Sequence, residues 1–215
     1  MDQTSLANAL ISYLGLVILL TFHEFAHAWT AWKCGDDTAR LAGRVSLNPL
    51  VHIDPIGTVL LPLFQIFGPS AVTRYVIGWA KPVPFNPAHL RNRRTDETLI
   101  AMAGPAMNLV LAVVLVGAAR VAWAFGFFDA VGLLMDTAGL SLVLCFFNLI
   151  PIPPLDGSHV MRHAVGMTYE TYAKLCQFGF IAVIIVINIP GVWEFVSFFI
   201  NGTFAILMFC FRFPM

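Results

Sequence analysis

Residues 3–32 read QTSLANALISYLGLVILLTFHEFAHAWTAW and contain one charged side chain, Glu24. A helix needs roughly 20 mostly apolar residues to cross the hydrocarbon of a bilayer. Gln3–Phe22 supplies 20 before the first histidine. His23 stands ten residues before Lys33, about 15 Å along a helix at 1.5 Å per residue, and so lies below the membrane interface. Ionisable groups at that depth are costly and mark a pathway, a relay or a metal. Groups that only tie helices together would be Ser, Thr or Asn. The run has no basic residues ahead of it and reads as a retained span rather than a cleaved leader.

Within it lies His23-Glu24-Phe25-Ala26-His27. Helical residues four apart share a face, so both imidazoles can address one ion. Glu24 follows about 100° round the helix, where its carboxylate can reach a water at that ion. The spacing is the His-Glu-x-x-His of zinc hydrolases.

The remaining sequence agrees with a lipid solvent. Of 215 residues, 59% are hydrophobic and 11% charged, with a mean hydropathy of +0.81, where a soluble domain carries about 25% charged. A soluble monomer of this composition would expose large apolar patches. Lys+Arg and Asp+Glu balance at 12 each, which leaves no basic field for nucleic acid. Cys34, Cys145, Cys176 and Cys210 are widely spaced and read as small buried hydrophobes, not a disulfide framework.

The expected fold is an all-α, polytopic transmembrane bundle of five or six membrane segments, forming a single domain over residues 1–215. The segments fall near 6–32, 98–120, 131–152, 175–190 and 193–211, with a further one at 55–73. That last one contains Pro55, Gly57, Pro62, Gly68 and Pro69, spaced to break a straight helix, and reads as re-entrant or interfacial. The flanking stretches 39–49 and 75–87 read as short interfacial strands and turns.

Two histidines and a water leave one zinc ligand to find, and a carboxylate is a usual third. Asp54, Asp136 and Asp156 lie near apolar segments. Asp156 ends Asn148-Leu-Ile-Pro151-Ile-Pro153-Pro154-Leu-Asp156-Gly157, where the prolines break the helix. Irregular backbone at membrane depth is tolerated only where protein or a polar cavity covers it, so a carboxylate there suggests a site. Asp136 reads as a span boundary. His52 and Asp54 are rival ligands, or loop polar groups. His89, His159 and His163 read as solvated.

For Asp156 to join the histidines, the C-terminal ends of the first span and of 131–152 must share a membrane face. That needs an even number of crossings between them, so 55–73 must not cross. Ten of the twelve basic residues, Lys33, Arg40, Arg44, Arg74, Lys81, Arg91, Arg93, Arg94, Arg162 and Lys174, then lie on one side, as the positive-inside rule expects of the cytoplasm. The N-terminus is expected outside. The last two segments form a hairpin through Pro190-Gly191, which leaves Arg212 inside.

These residues resemble the site-2 protease family of intramembrane zinc metalloproteases (peptidase M50) over most of the chain. His23-Glu24-x-x-His27 corresponds to its catalytic motif. Asn148-x-x-Pro151-x-Pro153-x-x-Asp156-Gly157 is similar to its second signature, whose Asp is the third zinc ligand. Gly104-Pro-Ala-Met-Asn108 resembles a Gly-x-x-x-Asn element beside the site. Gly43–Thr58 and Gly78–Pro84 resemble the compact bacterial and archaeal branch, which lacks the PDZ domain of larger relatives.

The resemblance implies one Zn2+ per chain on His23, His27 and Asp156, with Glu24 as the general base. Asn148 would donate to the oxyanion, or else hydrogen-bond backbone freed by the prolines. Gly104 and Asn108 would line the site, or only pack helices. The implied substrate is a transmembrane protein in the lipid bilayer of a bacterial or archaeal cell, cut from the cytoplasmic face. An unwound substrate could pair with an edge at Gly43–Leu47, which includes Gly43 and Val45, or at Trp79–Phe85. The rival reading is a membrane zinc carrier or metal sensor. Transport predicts polar residues along several spans, whereas here they gather at one depth. The oligomeric state is not legible.

Overall fold

A computed structural model describes residues 3–68, 76–189 and 191–213. The end of the 55–73 segment, Arg74, Tyr75 and Pro190 of the expected hairpin lie outside these residues. The chain forms two compact units, Met1–Leu90 and Arg91–Met215.

In the first unit, α1 spans Gln3–Lys33. Ala9, Leu16, Leu19, Leu20, His23, Ala26 and His27 are buried along one side, while Leu10, Leu14 and Ile18 are exposed on another. An apolar outer face is what a helix turned toward lipid presents. After α2 (Thr38–Leu41) and a 3-10 turn at Pro49–Val51, a π-helical turn, Pro55–Leu60, leads into α3 (Leu61–Phe67). Asp54 starts this turn, accepting from the N–H groups of Ile56 at 3.0 Å and Gly57 at 2.7 Å. The Tyr13 hydroxyl donates to the Thr58 carbonyl at 3.0 Å and ties the segment to α1. Pro55–Phe67 is 13 residues of apolar helix, about 20 Å long against a hydrocarbon core of about 30 Å.

The expected strands are not formed among the described residues. Positions 39–49 are short helix and turns, and 76–85 is extended but unladdered. Backbone bonds that link 76–85 to residues 52–57 run from Trp79 N–H to the Gly57 carbonyl (3.3 Å) and from Lys81 N–H to that of His52 (2.9 Å). Pro82 and Pro84 remove the donors a longer ladder would need.

In the second unit, α4 (Arg93–Ala124) and α5 (Phe128–Asn148) form a hairpin. Small residues let membrane helices approach closely. Ala112, Val116, Ala138 and Leu142 form a core with Leu207 of α9 (Val192–Cys210). Ser141 adds a buried hydrogen bond to the Asn108 carbonyl, 2.7 Å. Between α5 and α9 lie α6 (Gly157–Ala164), α7 (Tyr169–Gln177) and α8 (Gly179–Ile187). The single helix expected at 175–190 is therefore broken at Phe178. Gly179 packs where a Cβ would meet Pro154 Cδ at 2.7 Å and the Pro153 carbonyl at 2.9 Å. Its nine residues make α8 too short to cross by itself.

Among the described residues, Leu6–Lys33, Arg93–Ala124, Phe128–Asn148 and Val192–Cys210 are long and apolar enough to cross a membrane. All four cysteines are free thiols.

Candidate metal centre

The first unit brings His23 and His27 together. Both are buried, at 4% and 8% exposure. Their Nε2 atoms face each other at 3.0 Å, and their rings stand edge to face at 81°. Two nitrogens each about 2.0–2.1 Å from a tetrahedral zinc stand about 3.3 Å apart. The pair fits one ion with little adjustment. Its placement is a local consequence of sequence, since one turn of α1 separates the two residues.

Glu24 is half-buried, and its charge is felt by Arg44 and His52. Burial lowers the pKa of Arg44, and the Glu24 carboxylate acts against that shift. Burial also lowers His52 below its usual 6.5; its bond to Ser46 opposes the shift, the Arg44 cation adds to it and Glu24 opposes it. Arg44 is buried and donates to the carbonyls of Pro82 (3.1 Å) and Lys81. His52 sets Nε2 at 2.8 Å from the Ser46 carbonyl and Nδ1 at 3.5 Å from Arg44. With His52 held in the loop and Asp54 spent on a helix start, the two rival ligands already have structural work. Gly43 sits in a turn at φ 70°, and Val45 is half-buried beyond it. Neither belongs to a strand.

The second unit holds the other expected residues. Asn148 closes α5 and donates to the Leu144 carbonyl at 2.9 Å, which uses one of its two amide hydrogens. Gly104 and Asn108 are buried on one side of α4. Asp156 stands at the head of α6, and its carboxylate does not cap that helix. Next to it, Gly157 lies where a Cβ would run into the Leu149 carbonyl. Only glycine lets α6 start this close to the end of α5.

A polar cluster absent from the sequence reading holds α6. Glu97 of α4 is 1% exposed and Arg162 of α6 is 3% exposed. Arg162 Nη2 donates to Glu97 Oε2, His163 Nε2 lies 2.9 Å from the same oxygen, and Arg93 Nε lies 3.3 Å from Oε1. His163 thus belongs to a polar cluster around the buried Glu97 rather than being solvated. The rings of His159 and Tyr172 are 5.0 Å apart. His89, more exposed, lies 3.2 Å from the buried Asp36. Glu97 escaped notice because it stands at the edge of the apolar run, where an acid reads as a boundary. Its one sequence signal is the four-residue spacing from Arg93.

Comparison with known proteins adds what geometry alone does not. The model of peptidase family M50 matches residues 11–138 and 127–187. The chain belongs to peptidase family M50. YwhC of Bacillus subtilis, provisionally named a zinc metalloprotease, is 35% identical over 196 residues, covering 81% of this chain and 78% of its own. Rip2 of Mycolicibacterium smegmatis, similarly named, is 33% identical over 199 residues, covering 86% of this chain and 73% of its own. Rip2 of Mycobacterium tuberculosis H37Rv is 30% identical over 186 residues, with 82% and 66% covered. No solved structure gives a significant match. As an M50 member the chain is a membrane zinc metalloprotease.

Proposed function

We propose that this chain hydrolyses peptide bonds within or near the transmembrane segments of other membrane proteins, using one zinc ion held by His23, His27 and Asp156. The observation that carries the reading is the 3.0 Å Nε2 pair with Glu24 one residue on, in a helix long enough to span the membrane. When bound, zinc supplies a Lewis acid that polarises a carbonyl and lowers the pKa of a water toward about 7. Glu24 takes the proton of the attacking water and passes it to the leaving amine. Asn148 uses its remaining amide hydrogen to steady the developing oxyanion. Gly104 and Asn108 give a close-packed wall.

A membrane helix hides its peptide bonds, so the substrate unwinds locally and lies along the extended run 79–85, with Gly43 and Val45 at its border. The charge distribution supports a site opening to the cytoplasm and an outward N-terminus. Release of a membrane-held regulator and clearance of signal-peptide remnants both suit this chemistry.

The test uses the purified full chain in detergent, with a peptide spanning a substrate's membrane segment. One zinc per chain, lost in His23→Ala and weakened in Asp156→Asn, is expected. Cleavage abolished by Glu24→Gln with zinc retained completes the case. Undiminished cleavage by Glu24→Gln would overturn it.

A further inference from the structure

We infer that Glu97 is a positioning residue for the zinc site, acting through Arg162 and His163 to fix the helix that presents Asp156; this rests on the reading of Asp156 as a ligand. Little regular backbone precedes the residue that presents that carboxylate. Asp156 follows Pro151, Pro153 and Pro154, which supply no N–H groups to a ladder, and heads a helix of only eight residues. Helices that short are marginal without tertiary contacts.

The contacts come from both sides. At the far end of α6, six residues and about 9 Å from Asp156, Arg162 and His163 meet Glu97 Oε2 of α4. Glu97 Oε1 is engaged by Arg93 one turn earlier in its own helix, at 3.3 Å. Near the head, Ser158 donates to the Leu155 carbonyl at 2.6 Å and lies 2.8 Å from the Tyr172 hydroxyl of α7. The Tyr172 ring is 5.4 Å from the Arg162 guanidinium and the Tyr169 ring 5.6 Å from it. Arg162 therefore joins all three helices, and Glu97 is the carboxylate that neutralises it. Glu97 also lies on the buried side of α4 with Ile100, Ala101, Gly104 and Asn108, so its own position is set by the packed face of that helix. A planar guanidinium held by carboxylate and aromatic rings leaves α6 little freedom to slide or turn.

The zinc affinity of the purified full chain, measured by chelator competition, tests the inference in four proteins: native, Glu97→Gln, Asp156→Asn and the double variant. Glu97→Gln is expected to weaken zinc about tenfold, the lower end for residues that orient a ligand. In the Asp156→Asn background it should produce no further loss, because the group it positions is already gone. Arg162→Lys, which keeps the charge but loses the fork, should weaken zinc in the same direction and supplies the cycle if Glu97→Gln does not fold. An unchanged affinity in Glu97→Gln, or an equal loss in both backgrounds, would overturn the inference while leaving Asp156 a ligand. An Asp156→Asn protein that binds zinc like the native one would overturn both.

Discussion

α1 and α6 both carry proposed zinc ligands, and they are held by opposite means. In α1, His23 and His27 meet because they are one helical turn apart in a 31-residue helix, so their geometry is contained in five consecutive residues. In α6, Asp156 heads an eight-residue helix whose place depends on Glu97, 65 positions from Arg162. The first arrangement is local and tolerates change elsewhere. The second is assembled from side chains remote in sequence, so damage far from Asp156 should reach it.

The largest expected effect separates chemistry from folding in α1. Glu24→Gln should lower peptide hydrolysis by about a thousandfold with little change in unfolding midpoint, measured on the same preparation. A comparable loss of stability would break the view of α1 as a self-sufficient scaffold.

The matching change on α6 should act through stability. Arg162→Leu leaves Glu97 buried without its main partner and should cost about 3–5 kcal/mol in unfolding free energy. Gly157→Ala, which forces a Cβ into the Leu149 carbonyl, should cost about 1–3 kcal/mol and lower zinc affinity together with stability.

The foot of α1 is an intermediate case. Asp36, fully buried, accepts from Thr38 N–H (3.0 Å), Thr38 Oγ1 (2.5 Å) and Asn86 N–H (2.6 Å). Burial alone would raise its pKa, but bonds from Thr38, Asn86 and His89 outweigh it and hold the group below its ordinary 3.8. A carboxylate lowered by folding adds stability that is complete above pH 3.8 and lost as pH falls through the lower folded value. Thermal unfolding of the native protein should therefore become acid-sensitive below about pH 4, and Asp36→Asn should reduce that dependence. The smallest effect belongs to Thr21→Val. It removes only a bond to the Val17 carbonyl four residues back, 2.7 Å, and should cost about 0.5–1.5 kcal/mol.

The same contrast explains what was legible in the sequence. Hydropathy and the four-residue His spacing are periodic signals, and they marked α1, α4, α5 and α9 and the histidine pair. Prolines and glycines marked 55–73 as re-entrant or interfacial, and the helix described there, Pro55–Phe67, is only 13 residues long. The broken helix at Phe178 was missed because Gly179 reads as apolar continuity, while the break follows from its approach to Pro153 and Pro154. The strands assigned around Gly43 and Trp79 had suitable residues but lacked a partner ladder, and pairing is a long-range property. Glu97 was not among the candidate residues and His163 was read as a solvent group, because nothing adjacent to either in sequence reveals the other.

The most direct test of intramembrane proteolysis is mass spectrometry of peptide termini in membranes from cells expressing this chain or its Glu24→Gln variant, each purified in parallel for zinc content. New termini inside other proteins' spans, present only with Glu24 intact while both proteins hold one zinc, are the predicted result. Identical termini in the two samples, with zinc bound in both, would contradict the account.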